Sequence, residues 1–293
     1  MSEIQAAEVI ERQEWLEPVE EGLQNTINNA YQSAGEAGRA VKNFLHGVWL
    51  RHPLHPALTD LPLGSFSALA VLDAMEAAGI KGCAKGADVS LRVGLAGAAA
   101  AAVAGLTDWS VTDGEARRVG VTHGLLNLTS TALYAASLVA RNNRNRSAGR
   151  WLAFTGFAIS TVAAWLGGNL VYGKKIGVNH SESEHLPQDW TPVADENELR
   201  EGQPHRVEVN GAKVMLIRRA GEIYALNETC SHLGGPLAEG EIRGDTVTCP
   251  WHHSRFSLRD GSVIDGPATH PQPCLETRVI NNGRIEVRAR SKE

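Results

Sequence analysis

The chain has 293 residues, of which 43% are hydrophobic and 21% are charged, and its formal net charge is −5. This length predicts about two domains, and an acidic balance with scattered Lys and Arg argues against nucleic-acid binding. The four cysteines are too few for a disulfide framework, which is typical of a reducing compartment.

Residues 1–50 are predicted to form a polar, mainly helical N-terminal region with scattered apolar positions. Its first part, Met1 to Glu21, is acidic and lacks the basic, apolar and small-residue pattern of a secretory signal. The region ends in an apolar run from Phe44 to Leu50. This run suits either a membrane surface or packing against another domain, and both interpretations stay open.

Residues 51–173 are predicted to form a four-helix transmembrane bundle. The four apolar runs are Leu58–Ala78, Ala87–Thr107, His123–Ala140 and Trp151–Tyr172. A bilayer-spanning helix needs about 20 mainly apolar residues. The fourth run meets this best because it has no charged residue, the second and third are good candidates, and the first ranks lowest because Asp60, Asp73 and Glu76 interrupt it.

The alternative for these runs is a soluble, alanine-rich bundle with buried helices. Such a bundle should carry a charged stripe at every third or fourth residue, and the second to fourth runs mostly lack one. We therefore favour a membrane domain.

The segment from His52 to Gly64 reads HPLHPALTDLPLG, and the last apolar run ends in LGGNLVY. The H-P-x-H-P entry to the first helix and the glycine-rich last helix resemble an uncharacterised bacterial four-helix membrane family, the domain of unknown function numbered 2231. The resemblance covers about Leu50 to Gly173. It implies a multi-pass domain of a bacterial inner membrane and brings no known activity.

Four crossings would place the polar residues of the helix ends on one face of the membrane. The candidates on this face are His52, His55, Asp108 and His123, with Asp60, Asn127 and Asn169 near them. Ionisable groups near or inside a bilayer are costly, so they are functional candidates by default.

Two hypotheses use these groups. In the first, a haem b is held by two imidazoles, His123 together with His55 or His52. In the second, a quinone or quinol meets His123 or His55, and Asp108 or Asp60 receives its proton. The alternative is that these side chains are simply solvated at the membrane interface.

Residues 174–188 are predicted to be a linker, because Gly, Asn and Ser are frequent there. Basic residues divide evenly between the segments on the two sides of the predicted membrane domain. The positive-inside rule therefore gives no orientation. We place the C-terminal domain in the cytoplasm, because we expect no export signal and because iron–sulfur clusters are normally inserted inside the cell.

Residues 189–293 contain the motif that carries the chemistry. Cys230 and His232 form C-x-H, and after sixteen intervening residues Cys249 and His252 form C-x-x-H. Two thiolates and two imidazoles are the ligand set of a Rieske [2Fe–2S] centre, in which both Cys bind one iron and both His the other. A structural zinc site usually pairs C-x₂₋₄-C with H-x₃₋₅-H instead. A Cys230–Cys249 disulfide would leave the histidines unexplained.

The run from Cys249 to Phe256 (CPWHHSRF), followed by LRDGSVIDGPA, resembles the second cluster loop and next hairpin of Rieske ferredoxins and nitrite-reductase small subunits. The resemblance implies a small antiparallel β-sandwich, and short β-rich runs between residues 206 and 288 agree with it. Gly235 and Trp251 stand where quinol-oxidising members of the family carry a disulfide, so that link is absent.

Three residues beside the predicted ligands differ in what they imply. His253 stands where the family usually has Gly, and it is either a solvated loop side chain or a redox-linked proton site. The resemblance implies that Ser254 donates a hydrogen bond to the cluster, whereas Phe256 replaces a donating Tyr. Because such bonds raise the potential, we expect a value in the lower or middle part of the range of about −150 to +300 mV.

These features predict an α+β multidomain protein that carries single electrons between a membrane partner, quinone or haem, and another redox protein. The alternative is an iron–sulfur redox sensor acting through the membrane domain. A Rieske oxygenase would need a second iron with a 2-His-1-carboxylate triad. Beyond the second cluster loop His270 is the only histidine, so we expect an electron-transfer component and not a stand-alone enzyme.

Overall fold

The computed structural model describes residues 8–181 and 185–290. The chain separates into two compact units, each built from two segments. Unit 1 comprises Met1–Val41 and Leu54–Ile176, and unit 2 comprises Lys42–Pro53 and Gly177–Glu293. The outermost parts of the predicted N-terminal region and C-terminal domain, 1–7 and 291–293, and the linker positions 182–184 lie outside the described residues. The predicted domain boundaries stay a prediction.

The N-terminal part of the chain is helical. Its helices are α1 (Glu17–Ser33), α2 (Gly35–His46), α3 (Leu54–Ala77), α4 (Cys83–Trp109), α5 (Gly114–Asn142) and α6 (Arg146–Gly168), followed by a π-helical turn (Asn169–Gly173). Short turns join α3 to α4 and α5 to α6, so these helices form two antiparallel hairpins. Gly79 lies two residues beyond the end of helix α3, and its φ of 89° is a backbone conformation that favours glycine.

Three helices are long and apolar enough to cross a membrane: Leu54–Ala77, Cys83–Trp109 and Arg146–Gly173. The first apolar run, which the sequence ranked lowest, is therefore a candidate span. The third run, in α5, was expected to be a good candidate and is not among the three. Of the four predicted spans, three are thus supported in the part of the chain that the structure describes.

Helix α5 falls short because its polar groups are numerous and point into the bundle. Ser130 Oγ donates to the Gly156 carbonyl at 2.8 Å, and Ser137 Oγ donates to the Gly149 carbonyl at 2.6 Å. Tyr134 is fully buried and stacks on Phe66 with ring centres 3.7 Å apart. These contacts let α5 pack between its neighbours despite a composition that is less apolar than theirs.

Asp73 and Glu76, two of the charged residues inside α3, are paired. Asp73 and Arg141 are both buried and form an ion pair. Arg141 also reaches Asp88 at 3.2 Å, and Arg146 bonds Glu76 at 2.7 Å. A buried charge that keeps its partner is tolerated, whereas a buried charge left alone costs about 3–5 kcal/mol.

Unit 2 confirms the predicted antiparallel β domain. Its strands are β1 (Thr191–Asp195), β2 (His205–Val209), β3 (Ala212–Arg219), β4 (Glu222–Asn227), β5 (Glu241–Arg243), β6 (Thr246–Thr248), β7 (Arg255–Ser257), β8 (Val263–Asp265), β9 (Cys274–Val279) and β10 (Arg284–Ala289). They form a six-stranded sheet, in the order β1-β10-β9-β4-β3-β2, and a four-stranded sheet, in the order β5-β6-β7-β8. Neighbouring strands are antiparallel throughout.

Strand β3 separates two apolar cores because successive side chains point to opposite faces of a sheet. Val214 and Leu216 enter one core, and Met215 and Ile217 enter the other. The second core also contains Cys230, Cys249 and Phe256. The two cysteines of the motif are thus part of the packed interior of unit 2.

Candidate metal centre

Two loops carry the predicted ligands, and backbone hydrogen bonds close each of them. In the loop after β4, the Cys230 N–H donates to the Gly235 carbonyl at 2.8 Å and the Gly234 N–H donates to the Cys230 carbonyl at 2.9 Å. In the loop between β6 and β7, the Cys249 N–H donates to the Ser254 carbonyl at 2.8 Å. These bonds tighten both loops around their cysteines.

The structure brings together all four residues of the motif. Cys230 and Cys249 are 1% and 2% exposed, and their thiols are hydrogen-bonded to each other. The rings of His232 and His252 have centres 5.0 Å apart and are nearly perpendicular. The site thus has one side formed by buried thiols and one side formed by two imidazole rings.

The protonation of Cys249 and His232 suits metal binding, whereas Cys230 would have to lose its proton to a metal. The hydrogen bond with Cys249 and burial raise the pKa of Cys230, and the same bond lowers the pKa of Cys249 to about 7. Removal from water lowers the pKa of His232 to about 3, so this ring is neutral at physiological pH. Its Nδ1 is buried and has no hydrogen-bond partner. A neutral imidazole with a buried, partnerless nitrogen fits a metal ligand.

Among the described residues, no group of three or more His, Cys, Asp or Glu side chains is arranged around a single metal ion. A Rieske cluster does not require such a group, because each iron takes two protein ligands and the bridging sulfides complete its coordination. The two thiols and two imidazoles therefore fit a dinuclear centre.

Gly235 lies directly against a predicted ligand. A Cβ atom at this position would lie 2.7 Å from Cys249 Sγ and 3.1 Å from the Trp251 ring. Such a distance is shorter than real Cβ contacts, so a larger residue would displace the thiol. The four cysteines of the chain are free, which agrees with the absence of a loop-linking disulfide.

The three predicted neighbours of the ligands lie in different environments. Ser254 is fully buried, and its Oγ accepts the Ala268 N–H at 3.0 Å. Its own hydrogen therefore remains available for another acceptor. Phe256 is fully buried in the core and offers no donor. His253 is exposed with a φ of 62°, a conformation in which Gly is least strained.

Gln272 is a buried residue of this site for which the sequence contained no signal. Its Oε1 accepts the Ser231 N–H at 3.0 Å, and its Nε2 donates to the carbonyls of Asn227 at 2.6 Å and Thr229 at 2.5 Å. One amide side chain thus holds the loop that carries Cys230. An isolated glutamine in a proline-rich segment gives no indication of this role.

The apolar run that ends the N-terminal region belongs to unit 2. Asn43 accepts the Gly266 N–H at 3.0 Å and donates to Asp265 at 2.8 Å. His46 is 1% exposed, and a Cβ on Gly266 would lie 3.3 Å from its ring. Within this run His46 packs inside unit 2, whereas Phe44 and Trp49 stay 55% and 60% exposed, so both interpretations stay open.

The linker also reaches the cluster loops. The His180 N–H donates to the Ser231 carbonyl at 3.0 Å. Together with His46, the His180 side chain is close enough for its charge to lower the pKa of His232. Two imidazoles outside the predicted ligand set therefore belong to the surroundings of this site, and neither was identified from the sequence.

The candidates of the membrane domain divide between the two units. His55 and His123 both lie in unit 1, and their ring centres are 6.4 Å apart. Asp108 lies in the last turn of α4. His52 belongs to unit 2 and is exposed, with its Nδ1 at 2.8 Å from the Pro53 carbonyl. The structure thus brings together His55 and His123, and His52 falls in the other unit.

A small antiparallel β domain with two thiols and two imidazoles on adjacent loops defines a Rieske-type iron–sulfur protein. The family model "Rieske [2Fe-2S] domain" matches residues 189–277. A second model, "Predicted membrane protein (DUF2231)", matches residues 51–180. The chain belongs to the Rieske [2Fe–2S] family and joins this domain to a DUF2231 domain, as the two resemblances predicted.

Relatives are found for the Rieske part. Ferredoxin CarAc of Metapseudomonas resinovorans is 31% identical over 108 residues, which cover 36% of this chain and 100% of the ferredoxin. Apoptosis-inducing factor 3 of Mus musculus is 37% identical over 105 residues, 35% of this chain. The chain spans only 17% of that relative's length.

Among solved structures, the ferredoxin of carbazole 1,9a-dioxygenase from Nocardioides aromaticivorans IC177 is 28% identical, with a TM-score of 0.33. The match covers 35% of this chain and 100% of that ferredoxin. The Rieske domain and the ferredoxin relatives together give this protein an electron-transfer role.

Proposed function

We propose that the protein is a membrane-bound Rieske iron–sulfur protein that carries single electrons between a membrane partner, quinone or haem, and another redox protein. The observation that carries this proposal is the quartet of Cys230, Cys249, His232 and His252 in unit 2 of a chain with three candidate spans. The ferredoxin relatives support a redox protein as one partner.

In this proposal, Cys230 and Cys249 hold one iron and His232 and His252 hold the other. A bound [2Fe–2S] cluster supplies one-electron redox chemistry. Burial of the thiols keeps water from the sulfur side. Imidazole ligands bring less negative charge than thiolates would, which favours acceptance of an electron.

The imidazole side is the proposed exchange surface. His232 and His252 are partly exposed, and the Trp251 side chain beside them is 55% exposed. An exposed tryptophan is a frequent anchor of protein interfaces. A redox partner that docks on this face would lie against the two rings, whereas the cysteines stay covered.

The test is the metal content and spectrum of the full-length protein purified anaerobically in mild detergent. We expect two irons and two acid-labile sulfides per chain, and an electron paramagnetic resonance signal that appears on reduction. Cys249→Ser should abolish this signal, and Cys83→Ser, in unit 1, should preserve it. Bound zinc without iron, or a signal unaffected by Cys249→Ser, would refute the proposal.

The redox-sensor alternative rests on the hydrogen bond between His180 and Ser231, which links the predicted linker to a cluster loop. A sensor would change the linker when the cluster changes its redox state. The measurement is limited proteolysis at residues 174–188 in oxidised and reduced protein. Equal cleavage rates in the two states favour the electron carrier.

We place the Rieske domain on the cytoplasmic side of a bacterial inner membrane. The support for a membrane is the DUF2231 match and the three candidate spans. A C-terminal reporter that is active only in the cytoplasm is the expected result, and one active only in the periplasm would reverse the orientation.

A further inference from the structure

The two histidines of unit 1 are oriented in the same way. His55 Nδ1 lies 2.8 Å from the Ala101 carbonyl of α4, and His123 Nδ1 lies 2.8 Å from the Ala163 carbonyl of α6. A carbonyl only accepts, so Nδ1 carries the hydrogen in both rings. In the neutral form of each ring the lone pair is therefore on Nε2, the atom that can bind a metal.

Both hairpins make room for their imidazole with a glycine. A Cβ on Gly105 of α4 would lie 2.7 Å from His55 Nδ1, and a Cβ on Gly167 of α6 would lie 3.1 Å from His123 Cε1. The π-helical turn at Asn169–Gly173 begins two residues after the second glycine, and such turns are frequent at functional sites. Each hairpin thus has one histidine whose ring lies against a glycine of the other helix in the same hairpin.

The spacing of the rings distinguishes between possible ligands. Their centres are 6.4 Å apart, and their planes are perpendicular. A quinol bonded at both ends would need the two ring nitrogens about 11 Å apart, from two hydrogen bonds of about 2.8 Å and about 5.5 Å between its oxygens. Two imidazoles on opposite sides of one metal, each about 2.0 Å from it, have nitrogens about 4 Å apart and ring centres about 6 Å apart. The observed distance of 6.4 Å between the ring centres matches two imidazoles on one metal and not a quinol bonded at both ends.

The number of ligands then selects the kind of metal. A bare ion such as zinc needs about four protein donors, and no third His, Cys, Asp or Glu joins this pair among the residues that the structure describes. Haem iron brings four nitrogens of its own and needs only axial ligands from the protein. Asn127 Nδ2 lies 3.1 Å from His123 Nε2 and donates to the His123 carbonyl at 3.0 Å, so Asn127 is the side chain that the iron would displace from Nε2.

We infer that His55 and His123 are the axial ligands of a haem b in unit 1. The hydrogen bonds to Ala101 and Ala163 set the tautomer of each ring and raise its basicity as a ligand. The site stands on the geometry of unit 1 alone. Its use as the membrane partner of the cluster rests on the proposed function.

The test is an absorbance spectrum and a pyridine haemochrome assay on the full-length protein, purified in mild detergent from cells supplied with a haem precursor. We expect one haem b per chain with the low-spin spectrum of two axial imidazoles. His55→Ala and His123→Ala should each reduce the haem content at least tenfold. His52→Ala is the matched control and should retain all of the haem.

A rescue experiment separates loss of a ligand from loss of the fold. His123→Gly should lack the low-spin spectrum and should regain it when free imidazole is added. Absence of haem from the wild-type protein overturns the inference, as does haem that persists in both alanine variants or is lost in His52→Ala. The reduced-state signal of the cluster, recorded on the same samples, tests the proposed function separately. Haem without a cluster signal would leave this inference intact.

Discussion

The two units bring imidazole pairs together by different means. In unit 2, His232 and His252 lie on two short loops with ring centres 5.0 Å apart. In unit 1, His55 and His123 lie on long helices with ring centres 6.4 Å apart, and a carbonyl of a neighbouring helix orients each ring. Each loop of unit 2 carries one cysteine and one histidine within four residues, whereas each helix of unit 1 carries a single member of its pair.

The units also differ in whether their ion pairs are buried or exposed. Unit 1 buries the Asp73–Arg141 pair completely. In unit 2, pairs such as Arg259–Asp245 lie on the surface, with side chains 65% and 44% exposed. Unit 1 should therefore be sensitive to the loss of one charge, and unit 2 should respond mainly to changes in the loops.

The largest expected effect is on the stability of unit 1. Asp73→Leu leaves Arg141 with a buried, only partly compensated charge and should lower the free energy of unfolding by about 3–5 kcal/mol. The double variant Asp73→Leu/Arg141→Met should recover most of this loss. The measurement is unfolding in detergent monitored by circular dichroism. Asp245→Ala, at an exposed pair, is the control and should cost less than about 1 kcal/mol.

The second prediction concerns the potential of the cluster. Ser254→Ala removes the hydroxyl that we expect to stabilise the reduced state. A hydrogen bond to a charged group is worth about 1.5–3 kcal/mol, so the midpoint should fall by about 60–130 mV for one electron. A redox titration followed by electron paramagnetic resonance measures it. Ser262→Ala, whose hydroxyl bonds Asp260 at 2.8 Å, should leave the potential unchanged, and an unchanged midpoint in Ser254→Ala would contradict the hydrogen bond.

The third prediction tests the close contact at Gly235. Gly235→Ala places a methyl group 2.7 Å from Cys249 Sγ, and such overpacking typically costs about 1–3 kcal/mol. We expect a lower iron and sulfide content with the fold of unit 2 retained, measured by metal analysis and circular dichroism. Gly22→Ala, with nothing within 4 Å of its new methyl group, should keep the full content. Equal content in both variants would show that the thiol can move without loss.

The smallest effect is expected at His253. Its φ of 62° strains any side chain, so His253→Gly should change the stability of unit 2 by less than about 1 kcal/mol and leave the cluster spectrum unaltered. Thermal unfolding of the two proteins measures the difference. A loss of cluster in this variant would show that the side chain itself supports the site, in contrast to a solvated loop histidine.

The closeness of Cys230, His232, Cys249 and His252 was predicted from the sequence, because each half of the motif lies within four residues; their role as ligands stays a prediction. The resemblance to Rieske ferredoxins implied the antiparallel β domain, and the short β-rich runs that agreed with it are local patterns as well. The long apolar runs of α4 and α6 could also be recognised from the sequence. All of these features depend on residues that are close together in the chain.

Other features were decided only by tertiary structure. Helix α5 directs Ser130 and Ser137 at neighbouring backbone carbonyls, Gln272 holds a loop 41 residues away at Ser231, and His46 joins unit 2 from a distant part of the chain. The closeness of His55 to His123 likewise depends on how two helical hairpins meet. Periodicity indicates which face of an element is apolar, but it does not indicate which element will cover that face, because the partner is chosen by packing across the whole fold.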